Sequence, residues 1–196
     1  MNNKETILNC ALQLFSEKGY EAVSVQELVN MANVTKPTLY YYFGSKEGVY
    51  DQLLLKNYSQ LDEILAKTCI YEPKPESYFE DIYPVLTQVT ISYFIFAREK
   101  PLFYRLVLSN LYMPTSSSVY DVMARYHFKQ YDKILQLFLQ MSKVHPNLAD
   151  KERHFTWSFL GIINTYIALY LNDTPLSLSE DFAKQLVHQF MHGIYA

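Results

Sequence analysis

The chain has little glycine, little cysteine and no long uncharged apolar run. Its 5 glycines are too few for the many tight turns of an all-β protein, which favours long helices. Cys10 and Cys69 lie far apart in sequence, so we expect two buried thiols in a reducing cytoplasm rather than a disulfide. The N-terminus lacks the apolar core and cleavage site of a signal peptide, and we predict no membrane span.

The chain also lacks an excess of positive charge, since its formal net charge is -3. This excludes a global attraction to nucleic acid or membrane. A local DNA-binding surface is not excluded, because phosphate contacts need only a few donors. The arginines are Arg98, Arg105, Arg125 and Arg153, so the N-terminal part uses lysine alone.

What the chain does have is helical periodicity. Apolar spacing predicts a first helix over residues 4–18, which ends at Gly19. Ser24 and Glu27 form a capping-box pair, which predicts a second helix over residues 24–32.

A third short helix follows closely. Asn33 tolerates the left-handed conformation that a tight turn requires. Thr35 is a good cap for a helix over residues 35–42, and Pro37 suits its first turn. Two short helices joined by about three residues predict a helix-turn-helix.

The rest of the chain also reads as helices separated by prolines, which predicts an all-α fold of about nine helices. We expect a DNA-binding domain over residues 1–47 and a helical effector-binding and dimerisation domain over residues 48–196. The later helices are predicted over residues 45–67, 77–98, 101–112, 116–143, 150–172 and 179–194.

Three stretches carry a family resemblance: "ILNCALQLFSEKGYEAVSV", "ELVNMANV" and "TKPTLYYYFGSKEGVY". In order and spacing they resemble the DNA-binding domain of TetR-family transcriptional regulators. One departure is Asn33, where the family usually has glycine. Beyond about residue 50, the resemblance rests on the number and length of the helices.

The resemblance implies that the second helix of the motif enters the major groove of DNA. Leu39 and Phe43 are four residues apart and should point inward, and Tyr40 is expected to be the most covered of the three neighbouring tyrosines. Lys46 matches the lysine with which family members bind phosphate. The predicted DNA-binding residues are Ser24, Gln26, Thr35, Lys36, Thr38, Tyr40, Tyr41, Tyr42 and Lys46.

The resemblance further implies that the last two helices pair with those of a second copy. The predicted dimer-interface residues are Gly161, Ala168, Phe182, Leu186 and Phe190. His188 and His192 have a spacing that can bind a metal, but the sequence supplies no third ligand, so we expect no metal and no cofactor.

Family members also keep a ligand pocket among their middle helices. Aromatic residues are abundant there, and ordinary core packing is the alternative interpretation for each of them. The predicted ligand-binding residues are Tyr83, Tyr93, Phe96, Phe103, Tyr104, Tyr126, Trp157 and Asn164.

The function implied is that of a TetR-like homodimeric repressor. It would bind a palindromic operator in double-stranded DNA and be released by a small apolar or aromatic effector. One alternative is a helix-turn-helix regulator controlled by a protein partner. The other is an all-helical enzyme, which we do not expect, because no metal motif, nucleophile elbow or phosphate loop is present.

Overall fold

The computed structural model describes residues 2–193, and this part of the chain is all-helical, with nine α-helices, one 3-10 turn and no strand. None of these helices combines the length and apolar character that a bilayer crossing requires. The helices are α1 (Asn3–Lys18), α2 (Val25–Met31), α3 (Lys36–Phe43), α4 (Lys46–Thr68), α5 (Tyr78–Glu99), α6 (Pro101–Leu111), α7 (Tyr120–Ser142), α8 (Glu152–Leu171) and α9 (Glu180–His192), with the 3-10 turn at Pro146–Leu148 between α7 and α8.

The all-α prediction is confirmed, and most helix ends lie within two or three residues of their predicted positions. The helix predicted from residue 116 begins instead at Tyr120, because the preceding serines are bound to Glu21. The 3-10 turn was not predicted. Position 194, the predicted end of the last helix, lies outside the described residues.

The chain divides into two compact units. Unit 1 comprises the residues up to Gln60 together with Lys100–His127, and unit 2 comprises Leu61–Glu99 together with the residues from Phe128 onward. The chain passes between the units within α4, between α5 and α6, and within α7. The predicted division at residue 47 remains a prediction about function, since it does not coincide with this packing.

Each unit has its own helix packing. In unit 1, α1 contacts α2, α3 and α6, and the rings of Phe15, Tyr20 and Tyr50 pack at centroid distances of 5.0–5.7 Å. In unit 2, α5 packs against α8 and α9. Unit 1 therefore holds the helix-turn-helix on a buried aromatic core.

Candidate nucleic-acid interface

Helices α2 and α3 are joined by a turn whose geometry depends on Asn33. Its φ of 51° lies in the left-handed region, as its residue type predicts. The Val34 amide donates to the Val29 carbonyl at 3.0 Å and closes the turn. Thr35 caps α3, since its Oγ1 accepts from the Thr38 amide at 3.4 Å. The helix-turn-helix predicted from the spacing is therefore present.

Helix α3 has one buried face and one aromatic exposed face. Leu39 and Phe43 are buried, as predicted, whereas Tyr41 is 83% exposed and Tyr40 is 47% exposed. The prediction that Tyr40 is the most covered tyrosine is wrong. The most covered of the three is Tyr42, whose ring centroid lies 5.1 Å from that of Tyr41 and 6.2 Å from that of Phe43.

Polar side chains extend the exposed surface of α3. Thr35 and Lys36 are exposed, and the hydroxyls of Thr35 and Thr38 lie 2.9 Å apart. On α2, Gln26 Nε2 donates to Asn30 Oδ1 at 2.8 Å. These local hydrogen bonds hold the side chains in defined rotamers before any ligand arrives.

Ser24 forms the capping box predicted for it with Glu27, and its assignment as a DNA contact stays a prediction. Its amide and hydroxyl both donate to the Glu27 carboxylate, at 2.8 and 2.9 Å, and its hydroxyl accepts from the Glu27 amide at 3.2 Å. The hydrogen bond from the Ser24 amide and the one from Lys18 lower the pKa of Glu27 to about 2. The Ser24 hydroxyl is therefore committed to capping α2.

The ammonium group of Lys46, predicted to bind phosphate, already donates hydrogen bonds within unit 1. Its Nζ donates to the carbonyls of Tyr20 and Val23, at 3.0 and 2.9 Å, and lies 4.0 Å from the centre of the Tyr20 ring. Burial lowers the Lys46 pKa, and the charge of Glu21 opposes this. Two of its three N–H donors are thus taken, which leaves one for a phosphate.

Glu21 is a contact residue that sequence reasoning missed. Its carboxylate accepts from the Ser117 hydroxyl at 3.1 Å, and from the Ser118 amide and hydroxyl at 3.2 and 2.9 Å. These hydrogen bonds lower the Glu21 pKa, and the one from the Ser118 hydroxyl has the largest effect. The turn between α1 and α2 is therefore tied to the segment before α7 as well as to Lys46.

Three predicted ligand-binding residues lie in unit 1. Phe103 and Tyr104 are buried, and Tyr126 is partly buried. The Tyr58 ring packs 5.2 Å from Phe103 and is stacked 5.9 Å from Tyr126, whose hydroxyl donates to Asp51 at 2.9 Å. Unit 1 thus brings Phe103 and Tyr126 together around Tyr58, which was not predicted.

Unpaired polar atoms lie in the same unit. The Tyr50 and Tyr58 hydroxyls and Asn110 Nδ2 are buried and form no hydrogen bond within the described residues. Burial raises the Tyr50 pKa. Buried polar groups are usually hydrogen-bonded, so these three are candidates for contacting a ligand.

The other predicted ligand-binding residues lie in unit 2. Tyr93 and Phe96 are buried, Asn164 is partly buried, and the Tyr83 hydroxyl donates to the Lys184 carbonyl at 3.2 Å. Trp157, by contrast, is 58% exposed. Its ring lies 5.9 Å from that of Tyr131 and 6.3 Å from that of His154, and its assignment to ligand binding stays a prediction.

The predicted dimer-interface residues fall into two groups. Gly161 is exposed on α8, and Ala168 and Phe182 are partly buried. Leu186 is only 3% exposed, and the Phe190 ring packs 5.3 Å from that of Phe159. Leu186 is therefore a core residue of unit 2, and Phe190 points mainly into its own subunit, because the apolar face of α9 is used against α5 and α8.

The two histidines of α9 lie together. The rings of His188 and His192 are 4.7 Å apart, and that of His192 stacks on Phe79 at 4.9 Å. Within residues 2–193, no group of three histidine, cysteine or acidic side chains is arranged to hold a metal.

The profile of bacterial regulatory proteins of the tetR family matches residues 7–53, the segment that contains the whole helix-turn-helix. The match confirms the resemblance to TetR-family regulators over the N-terminal part of the chain. The relatives that it matches are transcriptional regulators rather than enzymes.

Among its TetR-family relatives is the biofilm operon icaADBC HTH-type negative transcriptional regulator IcaR. The Staphylococcus aureus protein is 36% identical over 62 residues, which cover 32% of this chain and 33% of that regulator. The chain thus matches about a third of the length of this relative. The Staphylococcus epidermidis IcaR is 20% identical over 192 residues, which cover 98% of this chain and 82% of that protein.

A solved TetR-like fold extends the similarity to the whole chain. The transcriptional regulator FadR from Bacillus subtilis, in complex with stearoyl-CoA, superposes with a TM-score of 0.75 at 15% identity, covering 97% of this chain and 99% of FadR. At this identity the likeness establishes the fold, including the helices after residue 53.

Proposed function

We propose that the protein is a homodimeric repressor that binds a palindromic operator and is released by a small, largely apolar effector. The observation that carries the proposal is the exposed aromatic and polar face of α3, which follows a capped turn and lies opposite the buried Leu39 and Phe43. A second helix presented in this way fits the major groove with its N-terminal residues leading.

The chemistry of this face suits a duplex. Lys36 can neutralise a phosphate, and phenol hydroxyls such as that of Tyr41 can donate to phosphate oxygens, while their rings contact thymine methyl groups. Lys18 is paired with Glu27 at 3.1 Å, and Lys46 is bound to main-chain carbonyls. With so few free cations in each copy, specific affinity requires two copies on one site.

The second copy is proposed to pack on α8. Trp157, Gly161, Thr165 and Leu169 are spaced four residues apart and are all exposed, so they form one stripe along the helix. A Cβ built at Gly161 meets no atom within 4 Å, so nothing in the subunit itself requires glycine there. A helix of a second copy that approaches closely accounts for it.

The effector is proposed to be apolar because aromatic side chains dominate the candidate residues. In unit 1, Tyr58, Phe103 and Tyr126 pack together, and the unpaired Tyr50 and Tyr58 hydroxyls supply a few polar groups that can orient a ligand. The stearoyl-CoA bound by the FadR relative has a long apolar chain, which supports this class of effector.

Release requires only a modest energetic coupling between effector and DNA. An effector that prefers a DNA-incompetent arrangement shifts the population away from the bound state. A 100-fold loss of operator affinity corresponds to about 2.7 kcal/mol.

The DNA-binding part is tested by titrating the full chain with its own upstream DNA between roughly 50 and 200 mM salt. We expect binding that weakens steeply with salt, and a loss of about 10- to 100-fold in Tyr41→Ala. Tyr112→Ala is the matched control, because Tyr112 is also highly exposed in unit 1 but lies at the end of α6. Salt-insensitive binding, or equal losses in both variants, would reject the proposal.

The effector part is tested on the preformed protein–DNA complex. Stearate and stearoyl-CoA are added as apolar probes, with coenzyme A alone as the control. Release by the acyl compounds and not by coenzyme A is expected. If neither acyl compound releases DNA while the protein still binds its operator, an acyl effector is rejected and the DNA-binding proposal stands.

A further inference from the structure

We infer that unit 2 contains a binding site for a small uncharged hydrocarbon group, separate from the aromatic residues of unit 1. A cavity of about 150 Å³ lies among α5, the 3-10 turn, α7, α8 and α9. Its walls include Ile82, Leu86, Phe138, Leu148, Phe155 and Phe190. Of these, Phe190 is the only one named among the predicted site residues, and it was assigned there to the dimer interface.

The lining defines the chemistry of the occupant. Phenylalanine rings form much of the wall, with Phe138 6.0 Å from Phe155 and 6.3 Å from Phe190. In other proteins, an apolar cavity of about 150 Å³ lined by leucine, isoleucine and phenylalanine stays dry and accepts benzene. A group of about six carbon atoms, whether a small aromatic ring or the end of an alkyl chain, therefore fits this space.

The entrance is also recognisable. Asn147 is exposed and is the polar residue of the lining, while Met191 is partly buried and has the flexible side chain of a residue that can move aside. A ring would lie among the apolar side chains, whereas an alkyl chain would leave its polar end beside Asn147.

The wall beside the cavity is held rigidly. The buried Asp81, next to Ile82, accepts hydrogen bonds from the Tyr71 hydroxyl at 2.9 Å and the Lys74 amide at 2.8 Å. It is also paired with His145, two residues before Asn147. These contacts fix the start of α5 to the segment before the 3-10 turn, so that the cavity cannot easily collapse.

The test uses the full chain without DNA, so its result is independent of the repressor proposal. Benzene and octanoate are titrated against protein with labelled isoleucine and methionine methyl groups. We expect the Ile82 and Met191 signals to shift, and the signals of Ile7 and Met31 in unit 1 to stay in place. Benzene alone identifies a ring-sized site, and octanoate binding identifies a chain-end site. Absence of shifts at Ile82 and Met191 with both probes overturns the inference.

Variants provide the matched control. Leu148→Phe fills the cavity and should abolish the rise in Tm of about 2–5 °C expected at a tenfold excess over Kd. Leu171→Phe changes a similarly buried leucine of unit 2 that does not line the cavity, and it should keep the response. A response that survives in Leu148→Phe contradicts the site.

Leu148→Ala covers the case in which Leu148→Phe does not fold. The enlarged cavity should accept naphthalene, with shifts at Ile82 and Met191 that the unaltered protein does not show. If naphthalene shifts these signals equally in both proteins, the ligand does not occupy this cavity and the inference fails.

Discussion

The start of α4 and the middle of α8 each contain a glycine, and the two glycines have opposite surroundings. A Cβ at Gly48 would overlap the carbonyl oxygen of Phe43, at the corner between α3 and α4. A Cβ at Gly161 would meet no atom within 4 Å. The fold itself therefore explains Gly48. Gly161 lowers helix stability, and no contact within the subunit requires a glycine there, which supports the proposed contact with a second copy.

The largest expected effect is that of Gly48→Ala. The added methyl group must displace the Phe43 carbonyl, so we expect the free energy of unfolding to fall by about 2–3 kcal/mol. Urea denaturation followed by circular dichroism measures this. An unchanged midpoint would mean that the corner adjusts freely and that the two glycines do not differ as described.

Lys46→Met tests the same corner. Removing the ammonium leaves the carbonyls of Tyr20 and Val23 without their donor, so we expect a loss of about 1–3 kcal/mol in unfolding free energy. The salt dependence of operator binding reports separately on phosphate binding, because its slope should fall by about 0.9 for each phosphate that is no longer neutralised. Lys143→Met, an exposed lysine of unit 2, is the control and should change neither quantity.

Gly161→Ala should act in two opposite directions. Alanine stabilises a helix interior by about 0.5–1 kcal/mol relative to glycine, so the isolated subunit should gain stability. Self-association should weaken, by about 10-fold for 1.4 kcal/mol of lost packing, because the methyl group separates the two helices. Analytical ultracentrifugation over a concentration series measures the second effect. Unchanged or tighter association would remove the argument for a second copy at Gly161.

The smallest expected effect concerns pH. Hydrogen bonds lower the Glu27 pKa from 4.5 to about 2, so the folded state favours the carboxylate. The associated stability is present above about pH 4.5 and is lost as the pH falls towards about 2. Glu27→Gln should flatten that part of the stability profile.

Helix α9 supplies the comparison for this pH effect. Ser179 caps it through the Phe182 amide at 3.1 Å, and no acidic residue occupies the third helical position. Ser179→Ala should therefore lower stability without altering its dependence on pH in this range. If Glu27→Gln leaves the acid profile unchanged, the capping box of α2 does not contribute to it.

Much of α1, α2 and α3 was predictable because its signals are local. The cap at Ser24, the positive φ of Asn33 and the inward direction of Leu39 each follow from residue type and spacing over a few positions. The candidate DNA surface was predictable for the same reason, since the face opposite Leu39 and Phe43 is exposed.

The exposure of other residues was not predictable, because it depends on neighbours that are distant in sequence. Trp157 and Leu186 both have apolar helical spacing, yet one is exposed and the other is buried. Periodicity identifies an apolar face, but it does not say whether that face meets its own subunit or something beyond it.

The sequence by itself determined an all-helical chain, the positions of its caps and turns, and the motif that resembles TetR-family regulators. The tertiary structure alone decided that Lys46 binds the carbonyls of Tyr20 and Val23, that Glu21 holds the serines before α7, and that five helical segments line one cavity. The physical reason is the separation in sequence of the residues that interact. Caps and helical faces arise from interactions between residues a few positions apart. The hydrogen bonds of Lys46 and Glu21 join residues 23 to 97 positions apart, and the cavity is lined by residues from several helices. These contacts exist only once the helices have packed.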